Sequence, residues 1–223
     1  MGIRLCIVDL LARTIPKLGD ISTKSILTVG VQDCPYTYDE LSKYFRSHGF
    51  PQRELRAEDI ELTSSFKGAP AQAVRWKDCV HQRTLFRAMG FPRDGIYSLD
   101  ANDYEGADFI HDLNVPVPDS LASRFDVIFD GGSLEHVFSV KDSLFNLCRM
   151  CKQGGVVITL NPVDWIPHGF FNFNATLLRD FFPVNGFEEL DLKYVPIPRD
   201  LNRNDHYLEL EPEGFLCSLT PAF

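Results

Sequence analysis

Short apolar runs closed by turn residues recur along the chain, at about 26–31, 96–100, 108–112, 125–129, 156–160, 189–195 and 214–219. Runs such as Phe125-Asp126-Val127-Ile128-Phe129 lack a strict apolar–polar alternation, which predicts strands buried on both faces of a parallel sheet. Between the early runs the period lengthens to that of a helix. Residues 3–18 carry Ile3, Ile7, Leu10 and Leu11 on one side and stop near Pro16 and Gly19. Thr37-Tyr38-Asp39-Glu40 has the spacing of a capping box, and the helix it opens stops at Gly49. Residues 73–89 read as a further helix closed by Gly90. After residue 137 another carries Val140, Leu144, Leu147, Cys148 and Cys151 as one apolar stripe. The two last runs have no helix between them, which predicts an antiparallel edge. The fold expected is α/β: a doubly wound, mostly parallel seven-stranded sheet of Rossmann-like type with an antiparallel C-terminal edge. Residues 1–223 form one domain in this reading, with an N-terminal helical segment over 1–24 and an insertion at about 50–94.

Charge narrows the partners. With 22 Lys and Arg against 31 Asp and Glu, the net charge is −9. That balance disfavours nucleic acid, whose backbone calls for clustered basic side chains. The N-terminal apolar stretch is broken by Arg4 and Asp9 and is too short to span a membrane, so a cytoplasmic location is expected. The same helix suits packing, a lid or a homodimer contact. Among six cysteines only Cys148 and Cys151 are closely spaced, and no second pair completes a zinc site; both read as buried thiols. His48, His81, His111 and His206 show no ligand spacing, and no metal is expected.

Chemistry is expected outside the carboxyl ends of the strands, where open parallel sheets bind ligands. Gly30 ends the first run and lets a ligand approach the backbone, with Gln32 or Asp33 in hydrogen-bonding reach. Asp100 ends the second, where a carboxylate accepts hydrogen bonds from ribose hydroxyls. Asp112 ends the third, followed by Leu113. Asp130 and Gly131 end the fourth, followed by Glu135 and His136, and His168 follows the fifth within an aromatic-rich segment. A histidine titrates near neutral pH and suits a general base. Glu135 and His136 read equally as stabilisers of the next helix.

One stretch carries a family likeness. The strand at 125–129, the turn Asp130-Gly131-Gly132, Leu134-Glu135-His136-Val137, a helix and then Gly154-Gly155 with a strand resemble the second half of a class I S-adenosylmethionine-dependent methyltransferase. The likeness covers roughly Ser25 to the C-terminus, with a long insertion and with Thr28-Val29-Gly30-Val31-Gln32-Asp33 in place of a glycine-rich loop. It implies S-adenosylmethionine as cofactor, held by Gly30, Gln32, Asp100, Asp112, Leu113, Asp130 and Gly131, with Asp112 meeting the adenine amino group. It implies methyl transfer to a small-molecule acceptor, a hydroxyl of a sugar or natural product, with His168 or His136 as base and the acceptor lying between them. The altered glycine loop keeps a second function open, a catalytically silent binding or scaffold subunit. A nicotinamide oxidoreductase is a third, although the chain lacks its glycine triplet.

Overall fold

The computed structural model describes residues 2–63, 78–165, 168–193 and 217–221. Seven strands make one sheet: β1 (Ile26–Val29), β2 (Ile96–Asp100), β3 (Phe109–Ile110), β4 (Phe125–Asp130), β5 (Cys151–Thr159), β6 (Phe187–Asp191) and β7 (Cys217–Pro221). Their spatial order is β3-β2-β1-β4-β5-β7-β6. β1, β2, β3, β4 and β5 pair in parallel, whereas β7 runs antiparallel to both β5 and β6. This is the doubly wound sheet with an antiparallel C-terminal edge that the apolar runs predict. The chain winds outward from β1 to β3 on one side and from β4 onward on the other. The two adjacent inner strands, β1 and β4, therefore define the topological switch point, where such sheets open a crevice for ligands.

Among the described residues, five helices cover the sheet: α1 (Leu5–Thr14), α2 (Tyr38–His48), α3 (Gln82–Ala88), α4 (Val140–Met150) and α5 (Ala175–Val184). Consecutive strand residues feed opposite layers, because successive side chains leave a strand on opposite faces. Ile26, Val127, Phe129, Val156 and Ile158 pack with Ile7, Leu11, Leu41, Phe45, Leu85 and Phe86 from α1, α2 and α3. Leu27, Val29, Ile128 and Val157 pack on the other face with Leu144, Leu147, Leu178 and Phe182 from α4 and α5. The apolar face of α1 is thus spent in the first layer.

Local chemistry sets the helix ends. The Thr37 hydroxyl accepts from the Glu40 N–H while the Glu40 carboxylate accepts from the Thr37 N–H, the reciprocal box that the sequence predicts. Gly49 closes α2 in the left-handed region at φ 68°. Three boundaries differ from expectation. The helix over 3–18 tightens into a 3-10 turn at Ile15–Leu18, where Pro16 removes a donor. The helix expected over 73–89 begins, within the described residues, only at Gln82, because Val80 and His81 form bridges with Leu62 and Asp33. Residues 73–77 of that expected helix lie outside the described residues. Cys151 leaves the helical stripe and opens β5, its partner being Phe125. Burial raises the thiols of Cys148 and Cys151 to about 12, as suits packed sulfurs.

Entry of the chain into β1 is fastened from below the crevice. Asp126 accepts from the backbone N–H and hydroxyl of Ser25 at 2.9 and 2.8 Å and from Lys152 Nζ at 2.8 Å. The strand bulges there, and the N–H groups of Asp126 and Val127 both donate to Ser25 O. One carboxylate thereby ties together the strand positions that fix the β1–β4–β5 register.

Candidate active site

β1 stops at Gly30, whose φ of 74° no β-branched or bulky residue adopts without strain. A Cβ at this position would lie 3.0 Å from Ser133 Oγ, 3.4 Å from Gln32 Nε2 and 3.9 Å from Asp100 Oδ2. Residues from three separate strand ends therefore converge on the one backbone position that has no side chain. Val29 is level with Leu99 in β2 and Asp130 in β4, which is why these ends meet.

Asp100 holds the outer side of the crevice. Its Oδ1 accepts weakly from the backbone and side-chain N–H groups of Asn102, at 3.3 and 3.4 Å. Oδ2, the oxygen nearer Gly30, accepts no hydrogen bond among the described residues. Asp112 lies on the adjoining strand end and is exposed, its Oδ1 bound to the Asn114 N–H and side-chain amide. Leu113 packs its side chain into the core, and its carbonyl accepts from Asn146 Nδ2.

Gln32 replaces glycines with a folded-back side chain. Its Nε2 donates to Val29 O at 2.7 Å, and its backbone N–H donates to Gln82 Oε1 at the start of α3. Its own Oε1 lies 2.2 Å from where a Gly131 Cβ would be, so a side chain at 131 would have to displace the Gln32 amide. Gln82, at the start of α3, thus buttresses the loop between β1 and α2.

Asp130 is completely buried. It accepts from the Ser133 N–H at 2.8 Å and from Asn161 Nδ2 at 2.9 Å. Burial pushes its carboxyl up to about 7, and the neighbouring charge of Glu135 adds to the rise. Glu135 is also fully buried and receives one hydrogen bond, from His168 Nε2 at 3.2 Å. Four buried oxygens in this neighbourhood have no partner among the described residues: Gln32 Oε1, Glu135 Oε2, Thr159 Oγ1 and Asn161 Oδ1. Three of them can only accept. Leaving such groups dry costs about 1–3 kcal/mol each, so this end of the sheet carries a surplus of buried acceptors that donors or positive charge would satisfy. The α-ammonium and sulfonium of S-adenosylmethionine have the donors and charge to answer that surplus, and Asp100 Oδ2 is an acceptor beside Gly30 with no partner among the described residues. The residues present fit this cofactor.

At the outer end the structure brings the two predicted histidines together. The rings of His136 and His168 meet edge to face with centroids 4.8 Å apart, and Trp165 stacks on His168 at 4.2 Å. This corrects one expectation: rings in contact leave no space for an acceptor between them. It also corrects another, since α4 is capped by Ser139, whose hydroxyl accepts from the Asp142 N–H, and not by Glu135 or His136. Gly169 lets the His168 loop lie against Glu135. It has a φ of 62°, a Cβ there would sit 2.8 Å from Glu135 O, and the next N–H, of Phe170, donates to that oxygen at 2.7 Å. Phe138 and Phe170, both well exposed, and Phe171 form an aromatic cluster beside the pair.

Ser133, Gln82 and Asn161 were not anticipated as site residues. Asn161 follows β5 and Ser133 follows β4, so the strand-end rule reaches both; Gln82 lies 50 residues beyond Gln32 at the start of α3 and leaves no local signal. His48, His81 and His111 take structural roles, stacking on Tyr44, capping α3 and bonding Val115 O respectively. His206 lies outside the described residues. No helix among the described residues is long and apolar enough to cross a membrane.

No family model matches the chain, and no curated protein does. Among solved structures it is similar to the CMeT domain of the citrinin polyketide synthase, at 14% identity over 89% of this chain and 46% of that one, TM-score 0.42. It is similar to the CurJ carbon methyltransferase, at 13% identity over 98% of this chain and 54% of that one, TM-score 0.47. A third is a SAM dependent methyltransferase from Aquifex aeolicus, at 9% identity over 86% and 92% of the two chains, TM-score 0.43. The chain spans about half the length of the first two. Its fold is defined by its own strand order and register.

Proposed function

We propose that the chain is an S-adenosylmethionine-dependent methyltransferase that alkylates a hydroxyl of a small-molecule acceptor. The observation that carries this reading is the group of unpartnered acceptor oxygens around Asp130, at the switch point between β1 and β4. Gly30 opens the backbone to the cofactor, Asp100 Oδ2 accepts from the ribose, and Asp112 with the Leu113 amide meets the adenine. Gln32 Oε1 and the Asp130 region accept from the cationic end, which Gly131 keeps within reach. When bound, the cofactor supplies an electrophilic methyl group on a sulfonium.

The acceptor end belongs to His168. Donation from its Nε2–H to Glu135 holds one tautomer, which leaves Nδ1 as the atom that takes the acceptor's proton. Stacking by Trp165 and edge contact from His136 fix the ring plane. The exposed aromatics Phe138 and Phe170 offer the acceptor an apolar wall. Orienting nucleophile and methyl group is the larger share of the work in an in-line displacement. Incubation with methyl-labelled S-adenosylmethionine and separate pools of hydroxyl, amine and activated-carbon acceptors tests the reading. Label in the hydroxyl pool supports it; label confined to the other pools overturns the choice of oxygen.

A further inference from the structure

Glu135, His136 and His168 place one carboxylate and two imidazoles together, with one ligand atom from each lying within 4.8 Å of the others. We propose that these three side chains form a binding site for a borderline divalent cation of the Zn²⁺ class. Two nitrogens and one carboxylate oxygen are the donor set such ions take when they keep open positions for a further ligand.

Three independent features support the assignment. His168 Nε2 and Glu135 Oε1 are 3.2 Å apart, and two donors each about 2.1 Å from one ion lie roughly 3.0–3.4 Å apart for octahedral to tetrahedral angles. Those two atoms already have the spacing of neighbouring ligands. Glu135 is fully buried, its second oxygen has no partner, and the buried Asp130 carboxyl lies near it. A cation offsets charge that the described protein leaves uncompensated there. His136 lies on the exposed side, on a 3-10 turn, with a ring nitrogen within 4.8 Å of the other two donor atoms. The backbone behind the site is already fixed by the Phe170 N–H bond to Glu135 O.

Positions left open on the ion would face the same aromatic-walled space as His168. A hydroxyl bound there loses its proton more readily, because a divalent cation stabilises the alkoxide. The cation would then take over from the imidazole the lowering of the acceptor's pKa. That role rests on the methyl-transfer reading, whereas cation binding itself does not.

The test uses the full chain stripped with chelator and dialysed against Zn²⁺, with bound metal counted by mass spectrometry and affinity measured by competition with a coloured chelator. The expected result is one tightly held equivalent, lost by at least about 100-fold in affinity in His136→Ala, since even outer partners of metal ligands are worth 10–100-fold. His136 is exposed, so this variant keeps the fold, and an unchanged circular dichroism spectrum checks that. Glu135→Gln should weaken binding similarly, while His48→Ala and His111→Ala, which remove surface imidazoles elsewhere, should leave it unchanged. Absence of a stoichiometric ion, or equal affinity in His136→Ala and His48→Ala, overturns the proposal. Titration of S-adenosylmethionine into the same preparation separates the two readings, since loss of that binding alone removes methyl transfer and leaves the cation site standing.

Discussion

Asp130 keeps a carboxyl group in a place water does not reach, and its protonation is coupled to folding. Its folded pKa is raised to about 7 by burial and by Glu135, above the ordinary 3.8. The folded state therefore binds the proton more tightly, and stability must fall as pH rises from about 4 to about 7. Thermal melts of the cofactor-free protein from pH 5 to 8 should show that decline, and Asp130→Asn should flatten it and raise the melting temperature at pH 8. Parallel curves for the two proteins would show that the carboxyl is not charged at a cost. His168→Ala should lower turnover by roughly 10²–10⁴-fold with cofactor affinity nearly intact, the usual worth of a positioned base. Equal losses in affinity and turnover would instead make His168 a structural residue. Of these side chains, the sequence made the strand-end acids visible, because each closes an apolar run. The contact between His136 and His168 was not visible, since 32 positions separate them and only the parallel pairing of β4 with β5 brings their loops together.

At the scale of elements, register depends on a few ties beneath the crevice. Asp126 is pushed up by burial, but its bonds with Lys152 and Ser25 outweigh that and hold its carboxyl below the ordinary range. A depressed folded pKa contributes stability above the unfolded value, and that contribution is lost as pH falls through the folded one. Asp126→Asn should thus cost about 1–3 kcal/mol at pH 7, with the difference from the parent shrinking as acid protonates Asp126. Denaturant melts at pH 7 and pH 3 check this; an equal difference at both would assign the loss to packing. All seven strands overlap apolar runs bounded by polar or turn residues, although residues 194–195 and 214–216 of the last two runs lie outside the described residues. The strand ends were less legible. Cys151 falls on the apolar stripe of the preceding helix in the sequence, yet it pairs with Phe125 and makes β5 nine residues long. The helix expected from residue 73 starts late among the described residues, because Val80 and His81 pair with Leu62 and Asp33 across gaps that no periodicity reveals.

For the molecule as a whole, the sheet order decides where function sits. Reversal of winding between β1 and β4 places Gly30, Asp100 and Asp130 at one crevice, although they are spread over the first two-thirds of the chain. Beside Gly30, Gln32 is held through its Nε2 on Val29 O and its backbone N–H on Gln82, and its Oε1 has no partner among the described residues. The most direct measurement is calorimetric titration of S-adenosylmethionine, and of its demethylated product, into the protein and into Asp100→Ala. Binding at one site is expected in the parent protein. The variant should bind more weakly by about 1.5–3 kcal/mol, the worth of a charge-assisted hydrogen bond to a buried hydroxyl, while its fold is retained. No heat from either ligand at millimolar concentration, or an unchanged dissociation constant in Asp100→Ala, would contradict the placement of the cofactor at this crevice.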